Sequence, residues 1–379
     1  MDYKSNINKI LKDYHDEVWR FSSLDASYGY LKQNNLGARR HELKSVMLLS
    51  MTKHAHLAKL LYTDIFTLKE VVNNPVYKTY KLAKKAGGYR TIDSPDDKLK
   101  LVQRNLNDFL QSYYLCIKSN SVHGFVPKFS YFEKRVNIVE NAKPHIGKKH
   151  VLNLDLKDFF DGISAYRIKE MFLGNHFNFN ESVATALTLL VSYNGKLPTG
   201  APTSPVISNF ICLELDQCLM EFSKTYGLTY TRYADDLTFS SNEAISDMLL
   251  LMIKEVIKLN NFKVNNKKVR IKSNARQQLV TGLVVNKKVN VDRKLIKQVR
   301  AMLYHTKTEG LSEAAKKHFK VKADQELGPY RKMFIDKLLG YINFIGLVRG
   351  EFDLIYVSFN SQFYGFEFNK PKIIYEHGF

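Results

Sequence analysis

Cysteine is scarce in this chain. Three occur in 379 residues, Cys116, Cys212 and Cys218. They sit in apolar contexts without metal-ligand spacing, which excludes a disulfide framework and predicts reduced core thiols in a cytosolic protein. Long apolar runs are absent as well: none approaches the ~20 residues of a membrane-spanning helix. The opening Met1-Asp2-Tyr3-Lys4-Ser5-Asn6 lacks the apolar core of a secretory leader, so a cytoplasmic location without membrane contact is expected. Acidic charge is also in short supply. Thirty-seven Asp and Glu face 57 Lys and Arg, a net charge of +20. An excess this large predicts a polyanionic partner. A hydrophobic content of 45% excludes global disorder, and the length suits two or three packed subdomains.

The most informative feature present is Tyr233-Ala234-Asp235-Asp236. Leu228–Arg232 before it and Leu237–Ser240 after it alternate and are rich in Thr and aromatics, which predicts two strands joined at the motif. The hairpin tip then carries two adjacent carboxylates, an arrangement that calls for a cation. Hard, oxygen-seeking ions such as Mg²⁺ suit it. Val151–Leu156 reads as a short apolar strand and supplies a third carboxylate, Asp155, at 235 − 155 = 80 residues from Asp235. An Asp-Asp dipeptide alone is usually a solvated turn. Here a third element accompanies it: Leu197-Pro198-Thr199-Gly200-Ala201-Pro202-Thr203-Ser204-Pro205, a tight Gly/Pro loop followed by a helix-like run. Such a loop can lay backbone amides and small side chains against a nucleotide.

Asp155 strand, Gly/Pro loop and Tyr-Ala-Asp-Asp hairpin, in that order, resemble the palm of reverse transcriptases. Asn141-Ala142-Lys143-Pro144-His145 and Val280-Thr281-Gly282 narrow the resemblance to bacterial retron reverse transcriptases, over about residues 77–350. Two departures stand out: Thr199 occupies a position where this family most often has Gln, and Asp161-Gly162 replaces a common Pro-Ser. Neither removes a metal ligand.

The resemblance implies an α+β right-hand polymerase fold, with fingers, a palm of antiparallel sheet with helices, and a helical thumb. The expected divisions are a helical extension over 1–70, fingers over 71–150 and a palm over 151–284 with a finger insertion near 165–197. A thumb over 285–350 and a tail over 351–379, read as strand-like, complete the chain. The implied site has Asp155, Asp235 and Asp236 holding two Mg²⁺ ions, with the Leu156 carbonyl as an extra ligand. In the basic hairpin Tyr77–Ile92, Arg90 and either Lys84 or Lys85 would grip the triphosphate; an ordinary solvated turn is the competing reading for the lysines. Thr199 and Gly200 would line the nucleotide. Phe160 matches a steric gate favouring deoxynucleotides, with a core aromatic beside Phe159 as the alternative. Lys267 or Lys268 resembles a palm lysine that protonates pyrophosphate.

From Phe262 to Arg300, twelve basic residues face one acid, Asp292. Asp292 is placed to cap a helix whose apolar face is Leu295, Ile296, Val299, Met302 and Leu303. Its basic face, with Lys294, Lys297 and Arg300, would lie along a phosphate backbone. The implied partners are deoxynucleoside triphosphates, a cognate structured non-coding RNA, its branched RNA-linked DNA product (msDNA) and an effector protein of anti-phage defence. Competing readings are a group II intron-like or other defence reverse transcriptase, an RNA-dependent RNA polymerase (disfavoured by Phe160) and a non-catalytic RNA-binding scaffold. Three converging acids argue against the scaffold.

Overall fold

A computed structural model describes residues 3–84, 87–127, 136–321 and 326–366. The chain forms two compact units, residues 1–141 with 150–271, and residues 142–149 with 272–379.

The first unit opens with five helices, α1 (Tyr3–Tyr14), α2 (Leu24–Asn34), α3 (Arg40–Leu49), α4 (His54–Leu60) and α5 (Ile65–Asn73). Local capping starts several of them: Ser23 accepts from Ala26 N, and Asp64 from Phe66 N and Thr67 N. The antiparallel pair β1 (Tyr77–Ala83) and β2 (Tyr89–Pro95) follows, with Tyr77 opposite Pro95 and Ala83 opposite Tyr89. Next comes α6 (Asp97–Ile117), capped by Asp96 and buried along Leu99, Val102, Leu106, Phe109 and Leu110. That spacing is the apolar stripe its sequence predicts.

After α7 (Ile138–Ala142) comes β3 (His150–Asp155). Helices α8 (Ala165–Leu173) and α9 (Glu181–Val191) precede α10 (Ser204–Ile211) and α11 (Leu213–Thr225). The helix-like run after the Gly/Pro loop is therefore two helices, parted at Cys212. Strands β4 (Thr229–Tyr233) and β5 (Asp236–Ser241), α12 (Asp247–Leu259) and β6 (Arg270–Ser273) complete a sheet of order β4-β5-β3-β6. Tyr233 pairs with Asp236, so the hairpin tip is two residues, Ala234 and Asp235. One continuous core runs from Ile7 to Phe262 and includes Leu152, Leu154, Leu237 and Phe239 of the central strands.

The second unit has the short pair β7 (Leu279–Val280) and β8 (Leu283–Val284). Three helices follow, α13 (Arg293–Phe319), α14 (Gly328–Arg349) and α15 (Leu354–Tyr364). Asp292 caps α13 by accepting from Lys294 N, as its position predicts. Gly310, at φ +83°, kinks α13. Where α14 meets α15, a Cβ on Gly346 would stand 2.5 Å from the Tyr356 ring, so glycine is required there.

Residues 367–379 of the tail lie outside the described residues, and over Leu354–Tyr364 the strand-like reading is corrected by α15. Its aromatic and β-branched composition suggests a strand, but Asp353 accepts from Ile355 N and Tyr356 N and starts a helix. Arg349 Nε and Nη2 hold the same carboxylate at 2.8 Å each. Phe359 and Phe363, four residues apart, then bury on one helical face.

Candidate active site

The site is assembled by strand register. In the β3–β5 pairing Asp155 lies opposite Asp236, and Leu156 N donates to Asp235 O at 3.0 Å. Eighty residues of intervening chain thus return the hairpin to the end of β3. Ala234, at φ +57°, turns the tip in a conformation that non-glycine residues seldom adopt.

Asp155 is buried and well bonded. Its Oδ1 accepts from Lys268 Nζ at 2.6 Å and its Oδ2 from Asn265 Nδ2 at 3.2 Å. Its own carbonyl accepts from Asn265 N at 2.8 Å. Asp235 is raised above the usual carboxylate range, first by burial and then by the charge of Asp155; Lys268 and Arg90 act the other way. Asp236 is raised to about 6, again first by desolvation of the carboxyl, with Asp235 and Asp155 adding like-charge repulsion. By surface area Asp236 is an exposed residue, so its desolvation reflects crowding around the carboxyl and not a place in the core. Lys268 is raised, chiefly by its bond to Asp155.

These are the properties of a cation-demanding donor set: crowded carboxylates whose negative charge is met, in part, by an ammonium. Among the described residues no group of three or more His, Cys, Asp or Glu side chains is arranged to hold a metal ion. The oxygen donors fit Mg²⁺ by type, and Lys268 occupies the place beside Asp155 where positive charge is wanted.

Of the residues expected on the nucleotide side, the Gly/Pro loop and the Arg90 strand are brought together. Asp93 N on β2 donates to Thr199 O at 2.8 Å. Gly200, at φ +128°, presses on the same strand: a Cβ there would stand 2.8 Å from Ile92 Cγ2 and 2.9 Å from Asp93 O. The Gly/Pro loop is thus seated on the strand that carries Arg90, two residues before Ile92, and Arg90 is close enough for Asp235 to sense its charge. Lys84 is exposed at the hairpin, its N donating to Gly88 O at 2.9 Å. Lys85 lies outside the described residues.

Phe160 is half-buried and Phe159 buried, but the two rings do not part as strand alternation predicts: they remain in contact, with centroids 5.3 Å apart. Residues 157–162 form a turn, with Asp158 at φ +48° and Gly162 N donating to Asp158 O at 2.7 Å. Phe159 faces Phe262 in the core, with ring centroids 6.1 Å apart. Phe160 faces Phe125 at 6.0 Å.

In the second unit Lys294, Lys297 and Arg300 are exposed on α13, while Ile296, Val299, Met302 and Leu303 are buried on the opposite side. The sequence alone does not single out Asn265, Arg232, Asp216 or Asn209, while Gly124 lies in Val122–Val126, which resembles the family's template-contacting fingers segment. A visible signal is Arg232 itself, a charged residue inside a strand of Thr and Tyr. Cys116, Cys212 and Cys218 are free thiols, and burial pushes Cys212 up to about 12. No described helix is long and apolar enough to cross a membrane.

The reverse transcriptase (RNA-dependent DNA polymerase) family matches residues 82–287. The retron Ec86 reverse transcriptase of Escherichia coli is 35% identical over 246 residues, 60% of this chain and 69% of that protein. The retron Mx65 reverse transcriptase of Myxococcus xanthus is 31% identical over 294 residues, 73% of this chain and 62% of that protein. The retron Mx162 enzyme of the same organism is 34% identical over 296 residues, 66% of this chain. The chain spans only 58% of that last relative's length. The chain belongs to the reverse transcriptases, and among them to the bacterial retron group.

Proposed function

We propose that this chain is a retron-type reverse transcriptase, which copies a cognate structured RNA into DNA at Asp155, Asp235 and Asp236. The observation that carries the reading is the register of β3 and β5, which sets Asp155 opposite Asp236 while Leu156 N holds the Asp235 carbonyl.

In this reading Asp155 and Asp235 hold two Mg²⁺ ions, with Asp236 in support and the Leu156 carbonyl as a further ligand. When bound, the ions lower the pKa of the attacking 3′-hydroxyl and neutralise charge on the triphosphate. The protein supplies position. Arg90 reaches the phosphates with its planar fork. Thr199 and Gly200 line the nucleotide, their loop held by the Asp93–Thr199 bond. Phe160 lies under the sugar, where a 2′-hydroxyl would meet the ring. Lys268 is free to leave Asp155 once other positive charge arrives, and can then give a proton to the departing pyrophosphate. Lys294, Lys297 and Arg300 hold the nucleic acid by its phosphates.

The product in this reading is branched RNA-linked DNA, and an effector protein acts with it in anti-phage defence. Its support is the retron resemblance, including Asn141 to His145 and Val280 to Gly282. Specificity for one RNA would rest on its shape and unpaired loops, since charge alone does not choose among RNAs.

Sequencing the nucleic acid that co-purifies with the protein tests the retron part. One dominant RNA with branch-linked DNA is expected. A diffuse sample of cellular RNA without linked DNA would leave a general reverse transcriptase and remove the retron assignment.

A further inference from the structure

We propose that Arg232 is a positioning residue for DNA synthesis: its guanidinium holds the strained hairpin tip so that Asp235 stands where the chemistry needs it. Arg232, Asp216 and Asn209 are all 0% exposed. Arg232 Nε and Nη2 donate to Asp216 Oδ1 and Oδ2 at 2.7 and 2.6 Å, a two-pronged pair. Asp216 Oδ1 also accepts from Tyr230 OH at 2.8 Å. The remaining nitrogen is the informative one. Arg232 Nη1 donates to the Ala234 carbonyl at 3.1 Å and to Asn209 Oδ1 at 3.0 Å. The Ala234 carbonyl belongs to the peptide that leads into Asp235, and Ala234 is the residue at φ +57°. A non-glycine residue in that conformation persists only where its surroundings over-determine it.

The tip is held from a second side. Gly124 lies so close that a Cβ there would stand 2.3 Å from Ala234 N and 2.9 Å from the Tyr233 carbonyl carbon. Asn209 Nδ2 donates to Gly124 O at 3.1 Å, which joins the two clamps. The strand itself is fixed as well, since Arg232 N donates to Ser121 O at 2.8 Å and Arg232 O accepts from His123 N at 2.9 Å. Asn209 lies on α10, directly after the Gly/Pro loop. The Arg232 side chain therefore ties the carboxylate hairpin to the helix that follows the candidate nucleotide loop, while its backbone and Asn209 extend the link to Ser121–Gly124.

A buried ion pair is by itself a poor source of stability, because desolvation offsets the attraction and apolar replacements often serve as well. Stability alone thus gives weak reason for an arginine here. A donor aimed at the Ala234 carbonyl gives a specific one. Lysine would not replace it, since a single ammonium lacks the fork that serves Asp216 and Ala234 at once.

The inference rests on the polymerase reading, and its test separates the two. Arg232→Met alone would leave Asp216 charged, buried and unpaired, so the informative variant is Arg232→Met with Asp216→Asn. It removes both charges, keeps an acceptor for Tyr230 and deletes the bond to Ala234. Primer extension should show kcat lower by about 10²-fold, the scale of a misplacement near 1 Å. The Mg²⁺ concentration for half-maximal rate should rise, with KM for primer–template within threefold and a melting temperature near that of the wild type. Gly124→Ala, which pushes the tip from the other side with the ion pair intact, should move kcat and Mg²⁺ dependence in the same direction. A folded double variant with kcat and Mg²⁺ dependence within threefold of wild type would overturn the proposal. So would wild-type behaviour of Gly124→Ala, or loss of folding in both variants, which would make these residues determinants of the fold. An inactive wild-type protein would instead sink the polymerase reading.

Discussion

Lys268 Nζ stands 2.6 Å from Asp155 Oδ1, an ammonium placed on a carboxylate that the proposed chemistry needs for a divalent cation. The lysine is more than half exposed and bonds the edge of the site, so it is free to swing away. Lys268→Gln removes a competitor for Asp155 and a proton donor together. The Mg²⁺ concentration for half-maximal rate should fall, while kcat falls about 10²-fold. A Mg²⁺ titration of primer extension reads both. No change in either would assign Lys268 to surface charge, and leave Lys267 as the palm lysine.

Asp236 is raised to about 6, and Asp235 is raised as well. Both must be ionised to hold a cation, so kcat/KM should climb as pH rises through about 6. The stability effect has the opposite sign. The folded state binds a proton on Asp236 that the unfolded chain releases above its ordinary value of 3.8. This contribution is complete below about pH 4 and is lost as pH rises through about 6. Without divalent cation, Asp236→Asn should therefore raise the melting temperature at pH 7.5. The gain should stay within about 1 kcal/mol, because the residue is exposed and screened. Melting in chelator at pH 4 and pH 7.5 checks it, and a variant less stable than wild type at pH 7.5 would contradict it.

Phe160→Val should admit ribonucleotides and spare deoxynucleotide use. The measurement is incorporation of each type, on one template, by wild type and variant. Phe160 is half-buried against Phe159 and Phe125, whereas Phe159 is buried on Phe262. A shift in sugar preference with Phe159→Val and none with Phe160→Val would move the gate by one residue.

Exchanging Lys294, Lys297 and Arg300 for Gln should weaken nucleic-acid binding to a similar degree for all sequences. The slope of log affinity against log salt should flatten by about 2–3, at roughly 0.7–0.9 for each phosphate that is no longer neutralised. An unchanged slope would mean that this face of α13 is only solvated surface.

The carboxylate hairpin and the Asp155 strand were legible because alternation, turn chemistry and acid placement are local signals. So was the start of α13, where Asp292 precedes an apolar stripe at helical spacing. The expected parting of Phe159 and Phe160 fails, since both lie in a turn that begins at Asp158 rather than in a strand, and their rings stay in contact. Leu354–Tyr364 of the tail is helical although its β-branched and aromatic residues suggest a strand, because a cap held by Arg349 decides for helix. The Arg232–Asp216 pair was illegible for a different cause. Its two halves lie on a strand and a helix, and only packing shows that they face each other. The seating of Gly200 on Asp93 likewise joins segments far apart in the chain.

The central claim is that the carboxylates at the ends of β3 and β5 carry DNA synthesis. Mg²⁺-dependent extension of a primer on an RNA template, by wild type and by an Asp235→Ala, Asp236→Ala double variant, tests it most directly. Wild type should extend the primer with deoxynucleotides. The double variant should lose several orders of magnitude in rate while still binding the template, since such electrostatic positioning supplies much of the catalysis. A double variant that extends the primer at a rate within tenfold of wild type would contradict the claim.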